Sequence, residues 1–95
     1  MRAVKETGGT YITVSDDEII KSIAELGRMG VFSEPAGATA YAGLVKAAGS
    51  GVVGSDDPVL VMNTGSGLKD IRSAMKAVLE APIIEPTLSA VKKVL

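Results

Sequence analysis

The apolar residues follow two different rhythms along this chain. Between Ser15 and Gly30 they recur at helical spacing, with Ile19, Ile20, Ile23, Leu26 and Met29 on one stripe. Ser15-Asp16-Asp17-Glu18 precedes them with the S-x-x-E spacing of a capping box, and its three carboxylates suit the positive end of a helix dipole. Other segments read as strands. Thr10 to Val14 is rich in β-branched residues, and Val31 to Ser33 forms a shorter apolar stretch ahead of Glu34-Pro35. Val59-Leu60-Val61-Met62 is a continuous apolar run between turn residues, the pattern of a strand buried on both faces of a parallel sheet.

Helical segments separate these runs. Met1 to Glu6 has helix-forming residues but is too short to nucleate a helix alone, and Gly8-Gly9 marks its end. Ala36 to Ala48 holds six alanines and two glycines, a helix-forming composition whose small face lets a backbone or a flat ligand approach closely. Further helices are predicted over Lys69 to Leu79, with Ile71, Met75, Val78 and Leu79 on one side, and over Thr87 to Leu95 beyond Pro86. Strands alternating with helices predict an α/β fold, a parallel sheet within a three-layer arrangement. No internal repeat, low-complexity tract or linker divides residues 1–95, which read as one segment.

Composition narrows the chemistry. The 95 residues are 46% hydrophobic but only 3% aromatic, so any core is aliphatic. Ten basic against eleven acidic residues leave a formal charge of −1, which argues against nucleic-acid binding and against a polybasic membrane anchor. With neither cysteine nor histidine, the chain has no disulfide framework, no Cys/His zinc site, no thiol nucleophile and no histidine-based triad. The acidic run at Asp16 to Glu18 is explained by helix capping rather than by a metal. There is no apolar run long enough to span a bilayer and no leader pattern, so the expected location is the cytoplasm.

Two places remain where a ligand can be recognised. One is Thr64-Gly65-Ser66-Gly67, a turn between the Val59–Met62 run and the next helix, with two hydroxyls available as donor or acceptor. It matches neither a Walker A loop nor a dinucleotide fingerprint, and a Gly/Ser turn of this kind is structural more often than functional. The other is Glu34-Pro35-Ala36, where a carboxylate opens the small-residue helix. If Glu34 is buried it is either neutral or paired with a cation or donor; if exposed it is an ordinary loop residue. No nucleophile–base pair is visible, and the seven lysines fall mostly on polar helix faces.

Taken in order along the chain, these segments resemble a known family. Gly8-Gly9 and Val14-Ser15-Asp16-Asp17-Glu18-Ile19 are followed by Gly30-Val31-Phe32-Ser33-Glu34-Pro35-Ala36 and then by Thr64-Gly65-Ser66-Gly67-Leu68-Lys69-Asp70. This succession is similar to the C-terminal third of threonine synthases, within the fold-type II pyridoxal-phosphate enzymes. The resemblance implies conversion of O-phospho-L-homoserine and water to L-threonine and phosphate, with pyridoxal 5'-phosphate as cofactor. It implies that Thr64, first in its motif, hydrogen-bonds the pyridine nitrogen, with Gly65 and Ser66 beside it. Glu34 and Ala36 become wall residues of the cofactor pocket, and the small residues lie against a flat ring.

The resemblance also implies what is not here. The lysine that binds the cofactor covalently and the glycine-rich phosphate cradle belong to earlier parts of the family's chain, so no catalytic residue is assigned. Lys69 is not that lysine. The expectation is a fragment that supplies one wall of a cofactor pocket and is inactive alone, with a small-molecule substrate in the whole enzyme. Apolar surface left uncovered predicts a homo-oligomer, with exchange of elements between copies one route to it. The resemblance leaves open cysteate synthase and threonine dehydratase-like lyases, which share the pocket architecture, and a stand-alone interaction module is the non-enzymatic alternative.

Overall fold

The computed structural model describes residues 1–95 and contains five α-helices. These are α1 (Arg2–Thr7), α2 (Asp16–Arg28), α3 (Pro35–Gly49), α4 (Ile71–Ala77) and α5 (Leu88–Val94), with a single 3₁₀ turn at Gly67–Lys69 before α4. The expected parallel-sheet, three-layer α/β arrangement is not seen: the chain has no sheet, only one isolated antiparallel bridge between Ser33 and Ser66. Thr10–Val14 and Val59–Met62 make no backbone hydrogen bonds to any other segment. A strand exists only through its ladder with a neighbour, and the second of these runs lies open, with Leu60 87% exposed. A β pattern in the sequence states what a segment suits, and within these residues nothing supplies its partner.

Helix α2 forms as its sequence dictates. The Ser15 side chain accepts from Glu18 N at 3.2 Å, and Glu18 Oε2 accepts from Ser15 N at 2.7 Å, completing the capping box. Lys46 Nζ reaches the same Oε2 at 3.2 Å, tying α3 to the start of α2. The Ser15 amide first, and the Lys46 ammonium second, hold the Glu18 carboxyl below its usual range. At the other end Gly30 takes φ 84°, a left-handed conformation that a β-carbon would strain, while Val31 N returns to Leu26 O at 2.9 Å.

Helix α3 begins with Pro35 in its first turn, where the missing amide costs nothing. Its buried residues are Gly37, Ala38, Ala42 and Ala47, so the small face found in the sequence is what lets α2 lie close. Ile23, Leu26 and Ala38 form the core, with Ile19, Ile20, Tyr41, Ala74 and Ala77 packed around it. The other end of the expected α2 stripe, Met29, is exposed instead, since it falls beyond the last helical residue. Helix α4 is shorter than the Lys69–Leu79 span expected, because Asp70 caps a new start after the 3₁₀ turn. Its Ala74 and Ala77 face the core. Ile71, Met75, Val78 and Leu79 instead line an open groove of about 730 Å³ against Ile23 and Phe32.

Short helix α1 does form, closed by Gly9 N donating to Val4 O at 2.9 Å, and buries none of its residues. Helix α5 is capped by the Thr87 hydroxyl, which accepts from Ala90 N at 3.2 Å, and it too buries nothing. Together these ends stretch the molecule to 62 × 28 × 20 Å. No helix is long and apolar enough to cross a membrane.

Candidate functional site

The two candidate segments, 30 residues apart in sequence, meet at the N-terminal end of α3. Glu34 N donates to Gly65 O and Gly67 N donates to Phe32 O, both at 3.0 Å. These two bonds flank the Ser33–Ser66 bridge and clamp residues 32–34 against residues 65–67. The clamp needs glycine for space. A β-carbon at Gly65 would overlap the Glu34 carboxylate, and one at Gly67 would overlap the Phe32 ring.

Glu34 resolves the alternative left open by the sequence. Its side chain is 18% exposed, and Lys69 Nζ lies 3.6 Å from Oε1, so it is largely covered and has a cation beside it. The lysine is mostly in water, which keeps the energetic value of the pair small. Just beyond it, Asp70 caps α4: Ser73 Oγ donates to Oδ2 at 2.7 Å and Ser73 N donates to Oδ1 at 3.1 Å. The Ser73 hydroxyl first, then its amide, hold the Asp70 carboxyl below its ordinary range.

Thr64 sits at the tip of this assembly. It is exposed, and its hydroxyl makes no hydrogen bond within the chain. Ala36 is exposed on the first turn of α3, and Gly65 is half-buried between the two segments. Ser66 is occupied locally, its hydroxyl accepting from Leu68 N at 3.3 Å at the start of the 3₁₀ turn. The structure therefore brings Glu34, Gly65 and Ser66 together, with Thr64 and Ala36 at the rim.

Two residues that the linear reading did not single out hold the arrangement from beneath. Ser33 is 1% exposed, and its hydroxyl lies 2.9 Å from Glu34 O and 2.7 Å from Asn63 Oδ1. Gly37 leaves room for this pair, since a β-carbon there would lie 2.7 Å from Ser33 Oγ and overlap Asn63 Oδ1. Ser33 stood inside the second motif, but nothing in a one-dimensional pattern links it to residue 63.

The donor set can be compared with the chemistry of a pyridine ring. A neutral hydroxyl with no partner of its own, followed in sequence by Gly65, offers one hydrogen bond to a ring nitrogen. The Glu34 carboxylate is engaged by Lys69. These residues fit one edge of such a cofactor, and the fit extends no further around it.

The model for the pyridoxal-phosphate dependent enzymes matches residues 1–65 of the chain. The threonine synthase of Methanosarcina acetivorans is 34% identical over 94 residues, which cover 98% of this chain and 23% of that protein. That of Methanocaldococcus jannaschii is 36% identical over the same shares. A cysteate synthase of Methanoregula boonei is 42% identical over 71 residues, 74% of this chain and 17% of its own length. The chain thus spans about a quarter of the length of the threonine synthases it matches.

Proposed function

Because the chain belongs to the pyridoxal-phosphate dependent enzymes, we infer that it forms one wall of the cofactor pocket of a threonine synthase. The whole enzyme would convert O-phospho-L-homoserine and water to L-threonine and phosphate. The observation that carries this reading is the clamp between residues 32–34 and 65–67, which leaves the Thr64 hydroxyl free at its edge. The matches to threonine synthases over 98% of the chain support it.

When bound, pyridoxal phosphate supplies the electron sink that stabilises negative charge on the substrate carbon. The residues of this chain do the simpler work. Thr64 donates a hydrogen bond to the ring nitrogen and keeps its own proton, so the nitrogen stays neutral. Gly65 and Ala36 allow close approach of a planar ring, and Ser66 shapes the turn below. Glu34 is a wall residue whose carboxylate is engaged by Lys69 rather than offered to the ring. Covalent attachment and phosphate binding would come from the remaining three quarters of the enzyme, so the chain alone is expected to be inactive.

Replacing Thr64 with Val in the intact holoenzyme tests this assignment. Turnover of O-phospho-L-homoserine is expected to fall at least tenfold, whereas Thr64→Ser retains most of it. Unchanged turnover in Thr64→Val would remove Thr64 from the pocket. The similarity to a cysteate synthase favours that activity as the second reading. Phosphate release from O-phospho-L-homoserine without threonine formation would turn the assignment away from threonine synthase.

For the chain by itself, without the remaining three quarters of the enzyme, we also propose a homo-oligomer. The chain exposes 7468 Å², against roughly 5,100 Å² for a compact monomer of this size. The excess is larger than the roughly 800 Å² that each partner contributes to a stable interface. The apolar groove between α2 and α4 and the uncovered residues of α5 form part of it.

A further inference from the structure

A hydroxyl that is 99% covered and donates to a side chain 30 residues away is an unusual investment in so open a molecule. Almost all of the hydrogen bonds that side chains make here are local, to residues within four positions in sequence. Apart from the exposed Lys46–Glu18 pair, Ser33 to Asn63 is the long-range exception, at 2.7 Å. It also lies under the candidate site. Asn63 immediately precedes Thr64, so the position of its side-chain amide sets where the next residue enters the turn.

We propose that Ser33 and Asn63 are positioning residues for Thr64, the Ser33 hydroxyl anchoring the Asn63 carboxamide in a notch that only Gly37 leaves open; this rests on the pocket reading above. Three observations converge on the assignment. Ser33 Oγ has no solvent alternative, the residue being 1% exposed, and of its two acceptors Asn63 Oδ1 at 2.7 Å is closer than Glu34 O at 2.9 Å. The Asn63 oxygen occupies the space a β-carbon would take at Gly37, so the helix surface itself selects the conformer. The flanking backbone bonds, Glu34 N to Gly65 O and Gly67 N to Phe32 O, hold the segment only after Thr64. Within this chain residues 59–62 make no backbone hydrogen bonds to another segment, and the Ser33–Asn63 bond ties the residue just before Thr64 to the clamp. Removing it takes away that side-chain tie.

The consequence is specific. Loss of the Ser33–Asn63 bond does not remove the Thr64 hydroxyl; it widens the range of positions that hydroxyl samples. A ring nitrogen with a misplaced donor changes its electronic environment, which the absorption band of the bound cofactor reports. Cofactor retention falls with it, while substrate groups distant from the ring are held as before.

The test uses the intact holoenzyme with Ser33→Ala, Asn63→Ala, Asn63→Asp, the Ser33→Ala/Asn63→Ala double variant and Thr64→Val. The cofactor absorption maximum, its dissociation rate, and kcat and KM are measured for each. Ser33→Ala and Asn63→Ala are expected to shift the band in the direction of Thr64→Val and to speed cofactor loss by roughly three- to ten-fold, the scale of one lost hydrogen bond. The effect should appear in kcat more than in KM. Asn63→Asp keeps an acceptor oxygen and should restore most of the retention, and the double variant should be no worse than either single one. Should Ser33→Ala fail to fold, the exposed Asn63 pair of variants carries the same comparison. If Thr64→Val shifts the band and the Asn63 variants do not, the positioning role is wrong while the pocket stands. If Thr64→Val itself changes neither band nor turnover, the pocket reading has failed and this inference falls with it.

Discussion

Ser15 shows how much a single side chain can organise in a chain with so little core. Its hydroxyl and the returning Glu18 carboxylate satisfy two amides that the first turn of α2 leaves unpaired, and Lys46 joins the same carboxylate from α3. Ser15→Ala is expected to cost about 1 kcal/mol, read as a lower midpoint in thermal unfolding followed by circular dichroism. The two caps also carry a pH dependence. Glu18 and Asp70 both titrate below their unfolded values of 4.5 and 3.8 in the native chain. The folded state therefore binds fewer protons across that interval, so their stabilisation is fully present above the unfolded values and lost as pH falls through the folded ones. Helix content should accordingly decline between about pH 4.5 and the lower folded values, and Glu18→Gln combined with Asp70→Asn should flatten that decline. A decline of equal steepness in the double variant would assign it to other carboxylates.

At the scale of elements, the clamp is the informative unit. It is a single bridge rather than a strand pair, and it closes because glycine stands wherever a neighbour intrudes. Gly65→Ala forces the Glu34 carboxylate from its place beside Lys69 and is expected to cost roughly 1–3 kcal/mol, as overpacking does. Chemical denaturation of wild type and variant measures it, and a cost below a few tenths would mean that Glu34 swings aside freely. The capping box and the helices expected over Ala36–Ala48 and Thr87–Leu95, which start at Pro35 and Leu88, were legible to within a residue at their starts because these depend on neighbours within four residues. The α2 stripe was legible down to Leu26 for the same reason. The Ser33–Asn63 bond was not, because a buried donor and its acceptor carry no shared periodicity along the chain. The split of the last helical region into a 3₁₀ turn and α4 also escaped, although Asp70 with Ser73 is a capping pair that could have revealed it.

The whole molecule is more extended than its length requires. Its radius of gyration is 17.7 Å, where about 12 Å is usual for a compact chain of this size. Only five hydrophobic residues are buried, three of them alanines, while Leu60, Leu79, Ile83 and Leu95 are almost bare. Apolar area of this extent favours association. Sedimentation velocity of the chain over a range of concentrations should show species larger than a monomer, and small-angle scattering should show a mass above that of one chain. A single monomeric boundary at high concentration would remove the homo-oligomer from the proposal.

Local chemistry decides a great deal about this protein: where α2, α3 and α5 start, which face of α3 is small, and which motifs mark a family of cofactor enzymes. These depend on residues close together in sequence, and a sequence is sufficient to state them. The tertiary structure decided the rest. It left Thr10–Val14 and Val59–Met62 unpaired and gave Val31–Ser33 a single bridge, because a sheet is a relation between segments and not a property of one. It brought residues 32–34 against 65–67 and set Ser33 under Asn63, because burial and reach are settled only when the helices have packed.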